Sequence, residues 1–292
     1  MNSEPDLILN PYSLKQLQIY IDSPSFGLLV SGPTGSGKTS VINWVAAMLL
    51  GIDTANVNTH PYVLKLPHDA KTGNISIDSV HLIDPFFGKA VLKSNQRQIS
   101  RLVIIDDAEN LSLPAQNALL KNLEEPPIGS TFLMSSAQPS LLLDTVKSRL
   151  LKIRLASVSK YMLKNHLIAT GCTEASAMQA IALSGAIPGL AIALANNQTE
   201  HPMLVAADAA KKLLSSKQDQ KLKLVSWLAK DTRLSGDVLS VLQQMARLSL
   251  ENSVGEQARR WQNVLNYAYS AEERLETNAN LRLTMTNLAL HI

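Results

Sequence analysis

Three glycines, a lysine and a threonine stand in the order GPTGSGKT between Gly32 and Thr39, the pattern G-x-x-x-x-G-K-[ST]. Glycines let the backbone turn tightly, so that successive N–H groups point inward where phosphate oxygens can meet them. The apolar run FGLLVS at 26–31 leads into this turn as a buried strand. TSVINWVAAMLLG follows with helical spacing, placing Val41, Val45, Met48 and Leu49 on one side and Gly51 as a C-cap. A helix starting near Lys38 adds the positive end of its dipole to the same spot. The expected cradle is Gly32, Pro33, Thr34, Gly35, Ser36, Gly37, Lys38, Thr39 and Ser40, holding the phosphates of ATP. Lys38 would neutralise the β and γ phosphates and the Thr39 hydroxyl would ligate Mg2+. A chance glycine-rich turn would not require the strand before it and the helix after it.

A second run, LVIID, ends at Asp106. A strand of apolar residues delivers that carboxylate to the carboxyl edge of a sheet, where ligands bind. Asp106 is the expected partner of Thr39 in holding Mg2+, directly or through water. The next residue, Asp107, is the candidate to orient or deprotonate an attacking water, where the longer Glu is usual. A solvated loop with a helix N-cap would also account for Asp106 and Asp107. The run FLMSSAQP places Ser136 or Ala137 at the end of a further strand; the Ser136 hydroxyl can hydrogen-bond a γ-phosphate or the water, and Ala137 cannot.

The elements that must position these residues are legible in outline. Besides 26–31, strand-like runs occur at 62–66 (YVLKL), 101–106 (RLVIID), 131–136 (TFLMSS) and 150–155 (LLKIRL). LPAQNALLKNLEEPP lies between the third and fourth runs and reads as a helix with Leu119, Leu120 and Leu123 inward, stopped by Pro126 and Pro127. Strands alternating with helices predict an α/β domain with a parallel five-stranded sheet covered on both faces. After residue 156 the strand signals stop. The expected organisation is a nucleotide-binding domain at 1–156, a small all-α lid at 157–202 ending in a polar linker at 196–202, and an all-α collar at 203–292. The last helix is expected to carry one stripe: Val264, Tyr267, Ala271, Leu275, Leu281, Met285, Leu288 and Ile292. In KLKLVSWLAK, Trp227 is expected inside a helical packing.

Composition narrows the class. The chain has 292 residues, 46% of them hydrophobic and 17% charged, which is ordinary for a globular protein with enough apolar sequence for a core. A net charge of +3 calls for no gross nucleic-acid footprint. The one cysteine, Cys172, excludes a disulfide within the chain and a four-cysteine zinc module, so no zinc is expected. His68 and His81 read as ordinary surface residues. The N-terminal MNSEPDLILNPYSL lacks the pattern of a signal peptide, and no apolar stretch approaches the length of a membrane span. A cytoplasmic protein without a membrane partner is expected.

IIDDAENLSLPAQNALLKNLEEPP, together with SRL at 148–150, resembles the clamp-loader subunits of the AAA+ ATPases. Within them the chain is most similar to delta-prime subunits of bacterial DNA polymerase III, and next to gamma/tau subunits. The resemblance is strongest over 26–155, and EERLETNANLRLTMTNLAL near the C-terminus resembles the end of the collar domain. It implies a hetero-oligomer of AAA+ subunits joined through their collars, which with ATP bound opens a sliding clamp and grips primer–template DNA. It also implies that Arg149, in place of the family's Ser-Arg-Cys arginine, enters the ATP site of a neighbouring subunit. A helix C-terminus would favour a cation there in any case.

Two departures separate a holder of nucleotide from a motor. Where motor subunits carry a phosphate-contacting arginine in a Gly-x-x-Arg pattern, SGAIPGLAIAL has Pro188. Asp107 is short for its task. A delta-prime-type subunit with weak ATPase activity of its own, or none, is therefore expected ahead of a gamma/tau-type hydrolysing motor. A small-molecule phosphotransferase accounts for the loop but for neither NALLKNLEEPP nor the helical C-terminal half. Lys121 reads equally as a solvated residue beside Glu124 and Glu125 or as a DNA phosphate contact, and Phe86 and Phe87 as core or interface residues.

Overall fold

A computed structural model describes residues 7–70, 72–89, 99–196, 202–251, 253–276 and 279–292. The chain forms two compact units, Met1–Ser159 and Lys160–Ile292.

The first unit holds α1 (Pro11–Asp22), β1 (Gly27–Ser31), α2 (Lys38–Leu50), β2 (Val63–Lys65), α3 (Ile77–His81), α4 (Ile83–Phe87), β3 (Arg101–Ile105), α5 (Leu113–Glu124), β4 (Ser130–Ser136), α6 (Asp144–Lys147) and β5 (Leu151–Arg154). The five strands pair in the order β2-β3-β4-β1-β5, every pair parallel. Successive side chains on a strand point to opposite faces, and the sequence uses both. Leu28, Val30, Leu102, Ile104 and Leu133 enter one core with α1 and α2. Leu29, Val103, Ile105, Phe132 and Met134 enter the other, against Val80, Leu119 and Val146. Continuous apolar runs such as LVII are what a sheet covered on both faces requires. Each such Leu, Ile or Phe, fully buried, contributes about 1.5–3 kcal/mol.

Local chemistry sets the helix ends. Ser112 caps α5 by accepting from the Ala115 N–H at 3.3 Å, and Pro114 occupies the first turn, where a missing N–H costs nothing. Leu119 and Leu123 of α5 are buried and Leu120 is half-buried. Gln116, 4% exposed, ties three segments together. Its Nε2 donates to the carbonyls of Leu111 and Leu141, both at 3.2 Å, and its Oε1 accepts from the Leu143 N–H at 2.7 Å. Phe86 is buried, and Phe87 meets Phe132 edge-on at 6.0 Å.

Tyr20 closes the amino side of the sheet. Its hydroxyl lies 2.9 Å from Thr131 Oγ1 and donates to the Ser25 carbonyl at 3.3 Å. Burial pushes its phenol up to about 12, with the Thr131 hydrogen bond working the other way. The unfolded chain loses this proton near the ordinary 10, whereas the folded chain keeps it to about 12. The contribution is therefore fully present below about pH 10 and lost as pH rises towards 12, at up to ~1.4 kcal/mol per pH unit. Urea unfolding of the wild type and of Tyr20→Phe across that window checks this. The substitution is expected to cost ~1 kcal/mol at neutral pH and to flatten the alkaline loss.

The second unit contains α7 (Lys160–Ala169), α8 (Glu174–Ser184), α9 (Pro188–Ala195), α10 (Pro202–Ser215), α11 (Gln218–Leu228), α12 (Thr232–Glu251), α13 (Glu256–Glu276) and α14 (Leu281–His291). One core runs from α9 to α14 and includes Leu190, Leu213, Leu242, Val264, Met285 and Leu288. The expected terminal stripe faces that core, but on two helices rather than one. The Asn280 side chain accepts from the Leu283 N–H at 3.0 Å and starts α14 afresh. Trp227 is 45% exposed, against the expectation of a buried position. The inward face of α11 is Lys221, Val225 and Leu228, at helical spacing, and Trp227 falls off it. Of the linker expected at 196–202, positions 197–201 lie outside the described residues.

Candidate functional site

The candidate phosphate cradle lies where β1 gives way to α2. Gly37 has φ +86° and ψ +18°, a left-handed conformation natural to glycine, and no side chain caps the first turn of α2. The N-terminal N–H groups of α2 are thus presented at one point, where the helix dipole favours an anion. A Cβ at Gly32 would meet Ser36 Oγ at 2.9 Å and Leu155 Cβ at 3.4 Å. Lys38 is 7% exposed and donates from Nζ to the Pro33 carbonyl at 3.2 Å, folding back over the loop. Thr39 and Ser40 are exposed at the start of the helix.

β4 lies beside β1, with Ser31 opposite Ser136 and the Gly32 N–H donating to the Ser136 carbonyl at 3.2 Å. Ser136 is fully buried, and its hydroxyl has no hydrogen-bond partner among the described residues. The same is true of Ser36 Oγ and of Glu109 Oε2. Buried polar atoms are rarely left so; the Ser36 and Ser136 hydroxyls can donate to a phosphate oxygen, whereas the carboxylate oxygen of Glu109 can only accept. Glu109 uses its other oxygen to accept from the Ala137 N–H at 2.9 Å.

Asp106 follows β3 and is 5% exposed. Its Oδ1 accepts from Ser135 Oγ at 2.9 Å, and Ser135 Oγ in turn accepts from the Asp107 N–H at 3.0 Å. Its Oδ2 pairs with Lys65 Nζ at 2.7 Å. Oδ1 thus has a hydrogen-bond donor, whereas Oδ2 has an ion-paired ammonium but no hydrogen bond; with Lys65 in place, a divalent ion shared with Thr39 would have to displace that ammonium. Asp107 has φ +45° and ψ +54°. Asp tolerates this left-handed region better than most residues, so the turn carries the chain sharply away from Asp106.

Arg149 lies elsewhere. It precedes β5, whose Leu151 pairs with Leu28 near the start of β1, whereas the cradle leaves β1 after Ser31. All strands run the same way, so Arg149 sits at the amino edge of the sheet and the cradle, Asp106 and Ser136 at the carboxyl edge. The length of a strand, on the order of 13 Å, separates them. Arg149 donates to the Thr145 carbonyl at 2.7 Å and pairs with Glu124 at the end of α5. Glu124 is therefore engaged rather than simply solvated, while Lys121 is exposed. Pro188 opens α9 as its first residue. Lys65, Ser135 and Glu109 were not singled out from sequence. The signal for Lys65 was a charge inside the short run YVLKL, at the end of a strand leading to the same sheet edge.

A parallel sheet in this order, a glycine loop after β1 and a carboxylate after β3 define an AAA+ nucleotide-binding unit. Residues 13–159 match the family model for DNA polymerase III, delta subunit. The chain belongs to this family and so to the clamp-loader AAA+ subunits. It is 33% identical over 135 residues to DNA polymerase III subunit delta' of Pseudomonas aeruginosa, covering 41% of this chain and 40% of that protein. With the Escherichia coli subunit delta' it shares 28% over 182 residues, 57% and 53% of the two lengths. A replication factor C small subunit of Staphylothermus marinus is 29% identical over 133 residues, 46% of this chain and 37% of that one. The matches thus span about two fifths to a half of these curated relatives. Among solved structures, a DNA polymerase III gamma subunit-related protein of Thermotoga maritima has a TM-score of 0.57 at 18% identity, covering 95% of this chain and 97% of that one, a likeness of fold.

Proposed function

We propose that this chain is a delta-prime-type clamp-loader subunit. It holds ATP at Gly32–Ser40, joins other AAA+ subunits and helps place a sliding clamp on primed DNA during replication in the cytoplasm. The observation that carries this reading is the position of Arg149, across the sheet from the chain's own cradle. An arginine there has no use in its own site but is available to a neighbour's, where it stabilises charge on a transferring phosphoryl group. The lid at 157–202 and the collar at 203–292 belong to this reading, with the collar helices as the assembly surface. Membership of the AAA+ class implies nucleotide binding with Mg2+ in general.

A gamma/tau-type motor is the second reading. The buried, unpartnered Ser136 hydroxyl favours it. Pro188 at the start of α9 and the Lys65 ammonium beside Asp106 weigh against it. Among the described residues no helix is long and apolar enough to cross a membrane.

The test is affinity purification of the tagged chain from its own cells with Mg·ATP present, the complex being read by mass spectrometry. Co-purification of other AAA+ clamp-loader subunits is the expected result. Recovery of the chain alone, or with a metabolic enzyme, would overturn the proposal.

A further inference from the structure

Lys65 ends β2, the edge strand, and stands opposite Ile104 of β3. From there its ammonium reaches the end of β3 and lies 2.7 Å from Asp106 Oδ2. The carboxylate it meets is one of the most buried charges in the first unit, with its side chain 7% exposed against 38% for that of Lys65. A carboxylate taken out of water in this way needs a compensating cation and hydrogen bonds. Here the chain supplies both, the cation from Lys65 and the hydrogen bond from Ser135.

We propose that Lys65 is the resident counter-cation of Asp106, so that the cradle takes up ATP without requiring a divalent ion at this carboxylate. The proposal rests on the reading of Gly32–Ser40 as a nucleotide cradle. Mg2+ demands near-octahedral oxygen ligands and gives up its waters reluctantly. To use Asp106 it would have to settle beside a like charge in a poorly solvated place, or drive that charge off. The phosphates are left to Lys38 and to the N–H groups of the loop and α2, which need no metal. A site of this kind holds nucleotide more readily than it turns it over.

The experiment is calorimetric titration of the full chain with ATP, in millimolar MgCl2 and in excess EDTA, for the wild type and Lys65→Met. Wild-type affinity is expected to change by less than ~3-fold between the two conditions, and that of Lys65→Met to gain ~10-fold or more with Mg2+. Lys65→Arg keeps the cation and should behave as the wild type. A wild type that loses tenfold or more in EDTA, or the same ratio in wild type and Lys65→Met, overturns the proposal. Lys65→Gln replaces Lys65→Met if the latter does not fold.

Nucleotide-free thermal unfolding separates this proposal from the cradle reading. Lys65→Met should unfold several degrees lower in EDTA, with Mg2+ restoring part of the loss and the wild type indifferent to Mg2+. If ATP binds neither protein under either condition, the cradle reading fails and the proposal with it; a Mg2+-responsive Lys65→Met midpoint would then leave only the ion pair. If ATP binds but the Lys65→Met midpoint neither falls nor responds to Mg2+, the cradle stands and the counter-cation role is overturned.

Discussion

Lys38→Ala is expected to weaken ATP binding by ~10- to 100-fold, the equivalent of one charge-assisted contact worth about 1.5–3 kcal/mol. Lys38 is 7% exposed, and its ammonium folds back on the Pro33 carbonyl at the mouth of the loop. No side chain caps α2, so the only other attraction for an anion there comes from backbone N–H groups and the helix dipole. Those remain after the substitution, which is why binding should weaken rather than vanish. Lys38→Arg is a sharper probe, because a planar fork replaces the compact charge that now folds back on the Pro33 carbonyl. Calorimetry with ATP measures the loss, and urea unfolding confirms that the fold is intact. Unchanged affinity in Lys38→Ala would remove Gly32–Ser40 as the nucleotide site.

The strands and the glycine turn were legible because each rests on a short-range rule. GLLV, LVII and the central FLM of the fourth strand are apolar on both alternations, and a sheet covered on both faces satisfies that. GPTGSGKT needs left-handed glycine, and Gly35 and Gly37 supply it. Trp227 failed because one large side chain does not fix the phase of a short helix, whereas Val225 and Leu228 do. The division between α13 and α14 failed because a stripe continued in phase past a cap at Asn280 that the apolar pattern does not register. The pairing of Lys65 with Asp106 could not be read at all. It depends on β2 lying next to β3 and on a register that puts Lys65 beside Ile104, a contact between residues far apart in the chain. The charges at functional edges are set by such long-range neighbours, and so is the availability of Arg149, whose partner Glu124 ends a different helix.

Arg149→Ala should leave this chain's own ATP affinity unchanged and lower hydrolysis at the neighbouring site it completes by ~10³-fold or more. Arg149 and the cradle stand on opposite edges of one parallel sheet, so the first half follows from topology alone. The second half requires that the guanidinium be free to leave its resting place. Its pair with Glu124 is partly solvated, with side chains 32% and 51% exposed, and such pairs contribute about 0–1 kcal/mol. Release therefore costs little beside the charge stabilisation gained at a phosphoryl group. Arg149→Lys should recover only a small part of the loss, since a point charge cannot reproduce two parallel N–H donors. Glu124→Gln weakens the resting pair and should not lower the complex's turnover. The assay is ATP hydrolysis by the complex purified from its own cells, beside calorimetry and unfolding on the isolated chain. A purely structural Arg149 would lower the unfolding midpoint and spare turnover, and Lys would then substitute for it about as well as Arg.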